Sequence, residues 1–116
     1  MVLSKEGCLL RLFLGEDDKH DGKALYEWLV LEARARGLAG ATVLRGIMGF
    51  GAHSRLHTFK IERLSLDLPV IVEIVDTRAK LEEFLAAVDP LIHDGLATLE
   101  MADVRFYRAR SDASGS

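Results

Sequence analysis

One cysteine, two prolines and a single tryptophan are all that this 116-residue chain holds of the residues that staple, break or anchor small folds. The lone Cys8 excludes an intrachain disulfide framework, and with no basic residue beside it in sequence it reads as core rather than nucleophile. Long apolar runs are also missing. The longest stretches, such as Leu68 to Val75, are strand-sized and contain a charge, so no segment reads as membrane-spanning. Positive charge is not in surplus either: 15 Lys and Arg against 18 Asp and Glu give a net charge of -3, which argues against bulk attraction to nucleic acid or an anionic membrane. No Ser-His-Asp, paired-carboxylate or phosphate-loop lysine pattern stands out, and the expectation is a protein that is not an enzyme. Residues Met1 to Glu6 lack the apolar core of a signal peptide, so a cytoplasmic location is expected.

What the chain does have is a globular balance, 49% apolar and 28% charged, at a length that allows one domain. We expect that domain over 1–110 and a loose tail over 111–116. Cys8 to Leu14 reads as a strand buried on both faces apart from Arg11. The loop from Gly15 to Gly22 follows, with Asp21 placed to cap a helix over Lys23 to Arg36, whose stripe is Leu25, Trp28, Leu29 and Ala33 and whose stop is Gly37. Ala41 to Met48 reads as a second strand, weakened at Gly46. Gly49 to Asp67 is irregular and long, a connection that in a small domain points to function. Leu68 to Val75 is the clearest strand. The stripe Leu81, Phe84, Leu85, Val88 and Ile92 predicts a second helix, capped by Asp76 or Thr77 and kinked or restarted at Pro90. Leu96 to Met101 and Val104 to Tyr107 read as short strands.

This order is the split βαβ pattern, βαββαβ, of an α+β ferredoxin-like sandwich: one antiparallel sheet with two helices on one face. Strand one alternates Leu10, Leu12, Leu14 with Leu9, Arg11, Phe13; strand three alternates Val70, Val72, Ile74 with Ile71, Glu73, Val75. A helix-free face carrying Leu9, Phe13, Ile71 and Val75 is too apolar to leave wet, which argues for a subunit interface on which Arg11 and Glu73 pair.

Gly40 to Gly51, Leu68 to Asp76, Gly15 to Asp18 and Ser54 to Thr58 together resemble the PII-like proteins grouped as domain-of-unknown-function family one hundred and ninety, over about Cys8 to Tyr107. The resemblance implies a homotrimer whose small ligands bind in clefts between subunits. In PII proteins a Gly-Phe-Gly at the end of the second strand opens the T-loop, and Gly49, Phe50 and Gly51 occupy the matching position. Arg105 and Arg108 resemble in placement the C-terminal arginines that hold ATP or ADP phosphates. PII proteins also hold those phosphates with a glycine- and lysine-containing loop before the fourth strand, and the short His93-Asp94-Gly95-Leu96 departs from that PII pattern, having no lysine. Members are often encoded beside ion exporters, which implies a regulator of a membrane transporter.

The candidate ligand-binding residues are therefore Arg45, Gly49, Phe50, Gly51, Arg55, Lys60, Arg105 and Arg108. Glycine brings backbone N–H groups close to an anion, and arginine grips phosphate or carboxylate with a bidentate fork. The expected ligand is a small anionic effector, with an adenine nucleotide as candidate, whose binding orders the Gly49 to Asp67 loop for a protein target. Two rivals stand beside it. One is a metal-binding trimer resembling the divalent-cation-tolerance proteins, with His53 and His57 as ligands; the other is a scaffold whose loop binds a protein without any small ligand.

Overall fold

The computed structural model describes residues 6–50 and 68–110 in full, and the backbone of 56–58. Alternating apolar residues set up β1 (Glu6–Gly15), which buries Cys8, Leu10, Leu12 and Leu14. A hairpin of two short strands, β2 (Lys19–His20) and β3 (Lys23–Ala24), follows, turning at Asp21 and Gly22, both with positive φ. Helix α1 (Leu25–Ala35) then starts at Ala24 with no side-chain cap. The expected Asp21 cap is thus corrected, because Asp21 is spent on the hairpin turn and the helix begins later than Lys23. The Leu25 N–H is satisfied instead by the Asp18 carbonyl at 2.7 Å.

Strand β4 (Ala41–Arg45) ends short of Met48, as the weakness at Gly46 implied. The Gly46 N–H donates to the Pro69 carbonyl at 2.7 Å, and a Cβ there would lie 2.8 Å from Pro69 Cγ, so only glycine lets the two chains approach this closely. The chain continues into β5 (Met48–Phe50), paired with β6 (Leu56–Thr58) in a small hairpin of its own. Strand β7 (Pro69–Asp76) and helix α2 (Arg78–Val88) come next. Thr77 caps α2 by accepting from the Lys80 N–H, and Pro90 falls in a 3-10 turn (Asp89–Leu91) that ends it.

The last strand differs from expectation. A single β8 (Leu96–Asp103) replaces the two short strands, and Val104 to Tyr107 is irregular. Its pairing with β1 ends, among the described residues, at Glu6 and Asp103. The tail over 111–116 lies outside the described residues.

The four long strands form one antiparallel sheet in the order β4-β7-β1-β8, the ferredoxin-like arrangement. Leu25, Leu29 and Ala33 of α1 and Leu81, Phe84 and Val88 of α2 close one core with the buried residues of β1 and β7. Both helices therefore cover the same face. The register sets Leu9, Arg11 and Phe13 of β1 beside Val75, Glu73 and Ile71 of β7, and adds Leu44 on one edge and Leu96 on the other. Among the described residues no helix covers this second face, and Leu44 and Leu96 are 45% and 57% exposed.

Candidate functional site

Of the eight residues singled out as ligand-binding, the five that are described divide between the two ends of the sheet. Arg45 lies at the end of β4 and is ion-paired to Glu16, whose own N–H donates to the Leu68 carbonyl at 2.8 Å. Gly49 and Phe50 sit beside it in β5, with Phe50 71% exposed. Gly51, Arg55 and Lys60 lie outside the described residues, as does His53. His57 pairs with Gly49 through the backbone, and its side chain lies outside the described set. Arg105 and Arg108 stand after β8, at the opposite end of the sheet: Arg105 meets Asp103 at 3.3 Å, and the Arg108 guanidinium lies 4.2 Å above the Phe106 ring. Cys8 pairs with Asp76 at that end and Gly15 with Pro69 at the other, so at strand rise the paired strands span about 24 Å between these positions.

A groove of about 440 Å³ opens at the end that holds Arg105 and Arg108. Its walls are Ala39 to Thr42 on one side and Val104, Phe106 and Tyr107 on the other, with Glu73 and Val75 between them. The chain after β8 makes one wall by crossing the end of the sheet. Val104 crosses at Gly7, where a Cβ would lie 2.8 Å from the Val104 Cγ2, and Tyr107 Oη donates to the Ala39 carbonyl at 2.5 Å.

The other wall is held by Asp76, buried at 1% exposure. Its carboxylate accepts from the Ala39 N–H at 2.8 Å and the Thr77 N–H at 2.6 Å, while Lys80 Nζ, 3.8 Å away, donates to the Gly37 carbonyl at 3.0 Å. Asp76, Lys80 and Tyr107 are the residues that sequence reading missed. A signal was available for Asp76: it continues the buried alternation Val70, Val72, Ile74, a place where a carboxylate needs partners.

On the open face Arg11 Nε donates to Glu73 at 2.9 Å, the pair expected from the register, and Arg11 Nη1 also reaches Glu100 at 2.5 Å. The bond to Glu73 is the main reason the Arg11 pKa is raised above its ordinary value; desolvation opposes it and the Glu100 charge adds to it. Elsewhere, the loop before β8 is packed tight: a Cβ on Gly95 would lie 2.6 Å from the Phe13 carbonyl oxygen. His20 stands edge-on to Trp28 with ring centres 4.8 Å apart. Among the described residues no three His, Cys, Asp or Glu side chains come together as a metal site, and no helix is long and apolar enough to cross a membrane.

The sheet order β4-β7-β1-β8 with both helices on one face defines a ferredoxin-like fold. The solved structures agree on the fold. CPII from Thiomonas intermedia K12, a nitrogen regulatory PII-like protein bound to ADP, AMP and bicarbonate, superposes with a TM-score of 0.64 at 15% identity, over 84% of this chain and 86% of that one. The apo form of CPII gives 0.57 at 14% identity, over 84% and 89%. Within this fold the chain belongs to the DUF190 family, described as "Uncharacterized ACR", whose model matches residues 7–104. It is 43% identical over 96 residues to a UPF0166 protein of Aquifex aeolicus, covering 83% of this chain and 90% of the relative. A UPF0166 protein of Methanocaldococcus jannaschii is 37% identical over 104 residues, covering 89% and 94%.

Proposed function

We propose that this chain is a PII-like regulatory protein, not an enzyme, which closes through its open sheet face into a homotrimer and binds a small anionic effector at the seams between copies. The observation that carries this reading is the separation of its basic and glycine-bearing ligand residues. Arg45, Gly49 and Phe50 lie at one end of the sheet, while the chain that carries Arg105 and Arg108 leaves the sheet at the other end, where β8 stops opposite Glu6. Two copies meeting at their open faces supply both groups to one seam.

The groove between Ala39 to Thr42 and Val104 to Tyr107 takes the uncharged part of the effector. Its volume is that of a small-ligand site, its aromatic wall suits a planar ring, and no lysine or arginine lines it. An adenine nucleotide fits this division, with its ring in the groove and its phosphates met by arginine. That CPII structures of the same fold hold ADP, AMP and bicarbonate supports the choice. Binding then acts through the 49–67 segment on a protein target such as a membrane transporter, which places the protein in the cytoplasm; the effector moves that segment only by binding one of its states more tightly than another.

Calorimetry with ADP, AMP and bicarbonate on the full chain tests this. We expect binding heat with a nucleotide, weakened by about tenfold or more in the double variant Arg105→Ala, Arg108→Ala, because each lost charge-assisted hydrogen bond is worth about 1.5 to 3 kcal/mol. No heat with any of the three on assembled protein contradicts the effector reading.

A further inference from the structure

The two walls of the groove are not held alike. The wall of Ala39 to Thr42 is tied into the fold at both of its ends. Just before it, the Gly37 and Leu38 N–H groups donate to the Arg34 and Ala33 carbonyls, each at 3.1 Å, and Lys80 Nζ donates to the Gly37 carbonyl. The Ala39 N–H is taken by Asp76, and from Ala41 onward the chain is paired with β7. Backbone bonded this densely has little freedom left.

The opposite wall hangs. It leaves β8 at Asp103, and Val104 is packed where it crosses Gly7. Among the described residues, no backbone hydrogen bond joins Arg105 to Arg110 to the rest of the protein. Arg105 is paired with Asp103 at the root of the segment and Arg108 lies over Phe106 within it, so neither reaches the facing wall. The Tyr107 hydroxyl does. Its bond of 2.5 Å to the Ala39 carbonyl is the hydrogen bond that joins the two walls. Burial adds little to it, since Phe106 is 68% and Tyr107 49% exposed. The ordering entropy of the segment is therefore set chiefly against this one bond and the packing of Val104.

We propose that Tyr107 is a positioning residue of the groove, its hydroxyl a latch that holds the 105–110 segment against Ala39 so that a planar ring meets two walls already in place. The proposal rests on the effector binding argued above. It does not rest on assembly, because both walls belong to one protomer. A ring that enters an unlatched groove must order the segment itself, and that cost is subtracted from its affinity. Folding bears little of the cost, because Ala39 and Tyr107 are both partly exposed and water replaces the lost bond.

Tyr107→Phe, which keeps the ring and removes only the hydroxyl, tests this in the full chain by nuclear magnetic resonance relaxation and by calorimetry with ADP and AMP. In the free variant the amide order parameters of Arg105 to Arg110 are expected to fall below about 0.6, from a higher wild-type value. The midpoint of urea unfolding is expected to change little. Nucleotide is expected to bind the variant about three- to tenfold more weakly and to restore the order of the segment. That rescue is the readout a purely structural tyrosine would not give. A variant segment as rigid as the wild type, an undiminished affinity, a segment still mobile with nucleotide bound, or a large fall in the unfolding midpoint overturns the latch while the effector reading stands. A wild type that takes neither nucleotide removes the effector reading, and the latch's part in binding falls with it.

Discussion

Replacing Asp76 by alanine is expected to lower the free energy of unfolding by about 2 to 4 kcal/mol. The carboxylate is buried and accepts from the Ala39 and Thr77 amides. Alanine leaves two N–H groups without their partner, and each orphaned buried donor costs about 1 to 3 kcal/mol. Asp76→Asn keeps one acceptor oxygen, so its loss is expected to be smaller. Urea denaturation of the two variants at unchanged slope measures both values. The damage reaches the groove as well, because Ala39 is also the residue whose carbonyl receives the Tyr107 hydroxyl.

Ile71→Asp is expected to leave the protomer folded but hold it as a single chain. Ile71 faces away from the helices, between Phe13 of β1 and Leu44 of β4, and contributes nothing to the core beneath them. A carboxylate in that position must be desolvated when the face is covered, and it stands two residues from Glu73 on the same side. At a cost of about 1 to 3 kcal/mol in each copy, association is expected to weaken by roughly a hundredfold or more. Circular dichroism unchanged from the wild type together with a molar mass reduced to one chain is the expected pair of results. An unchanged oligomer contradicts the assignment of this face to the interface.

The core and the sheet were legible because their signals are periodic and local. Alternation in β1 and β7 fixed which residues face the helices, and it gave the Arg11–Glu73 pair before any coordinates, since directly opposed residues share a face. Thr77, one of the two expected caps, Gly46 as the weak point of the second main strand and Pro90 as a break in the second helical stripe likewise follow from the chemistry of single residues, although α2 ends at Val88 where a kink or restart was expected. The errors arose where one residue type serves two kinds of turn. Asp21 before a helix suits a cap equally well as the positive-φ corner of a hairpin, and only the pairing of Lys19 with Ala24 decides between them.

The groove was not legible for a different reason. Its walls come from the α1–β4 connection and from the chain after β8, brought together by the Tyr107 hydroxyl on the Ala39 carbonyl and by Val104 against Gly7. These contacts join segments more than sixty residues apart and have no period, so nothing local announces them. The basic residues chosen for a ligand were found by type, and type alone does not say at which end of the sheet a residue sits. The division of the described ones between the two ends came from strand register, and the proposed assembly rests on it.

The claim beneath the whole account is that the helix-free face is covered by other copies of the same chain. Multi-angle light scattering of the full chain across micromolar concentrations tests it most directly. The predicted result is a molar mass three times the 12.8 kDa of one chain. A mass of one chain at every concentration would contradict it.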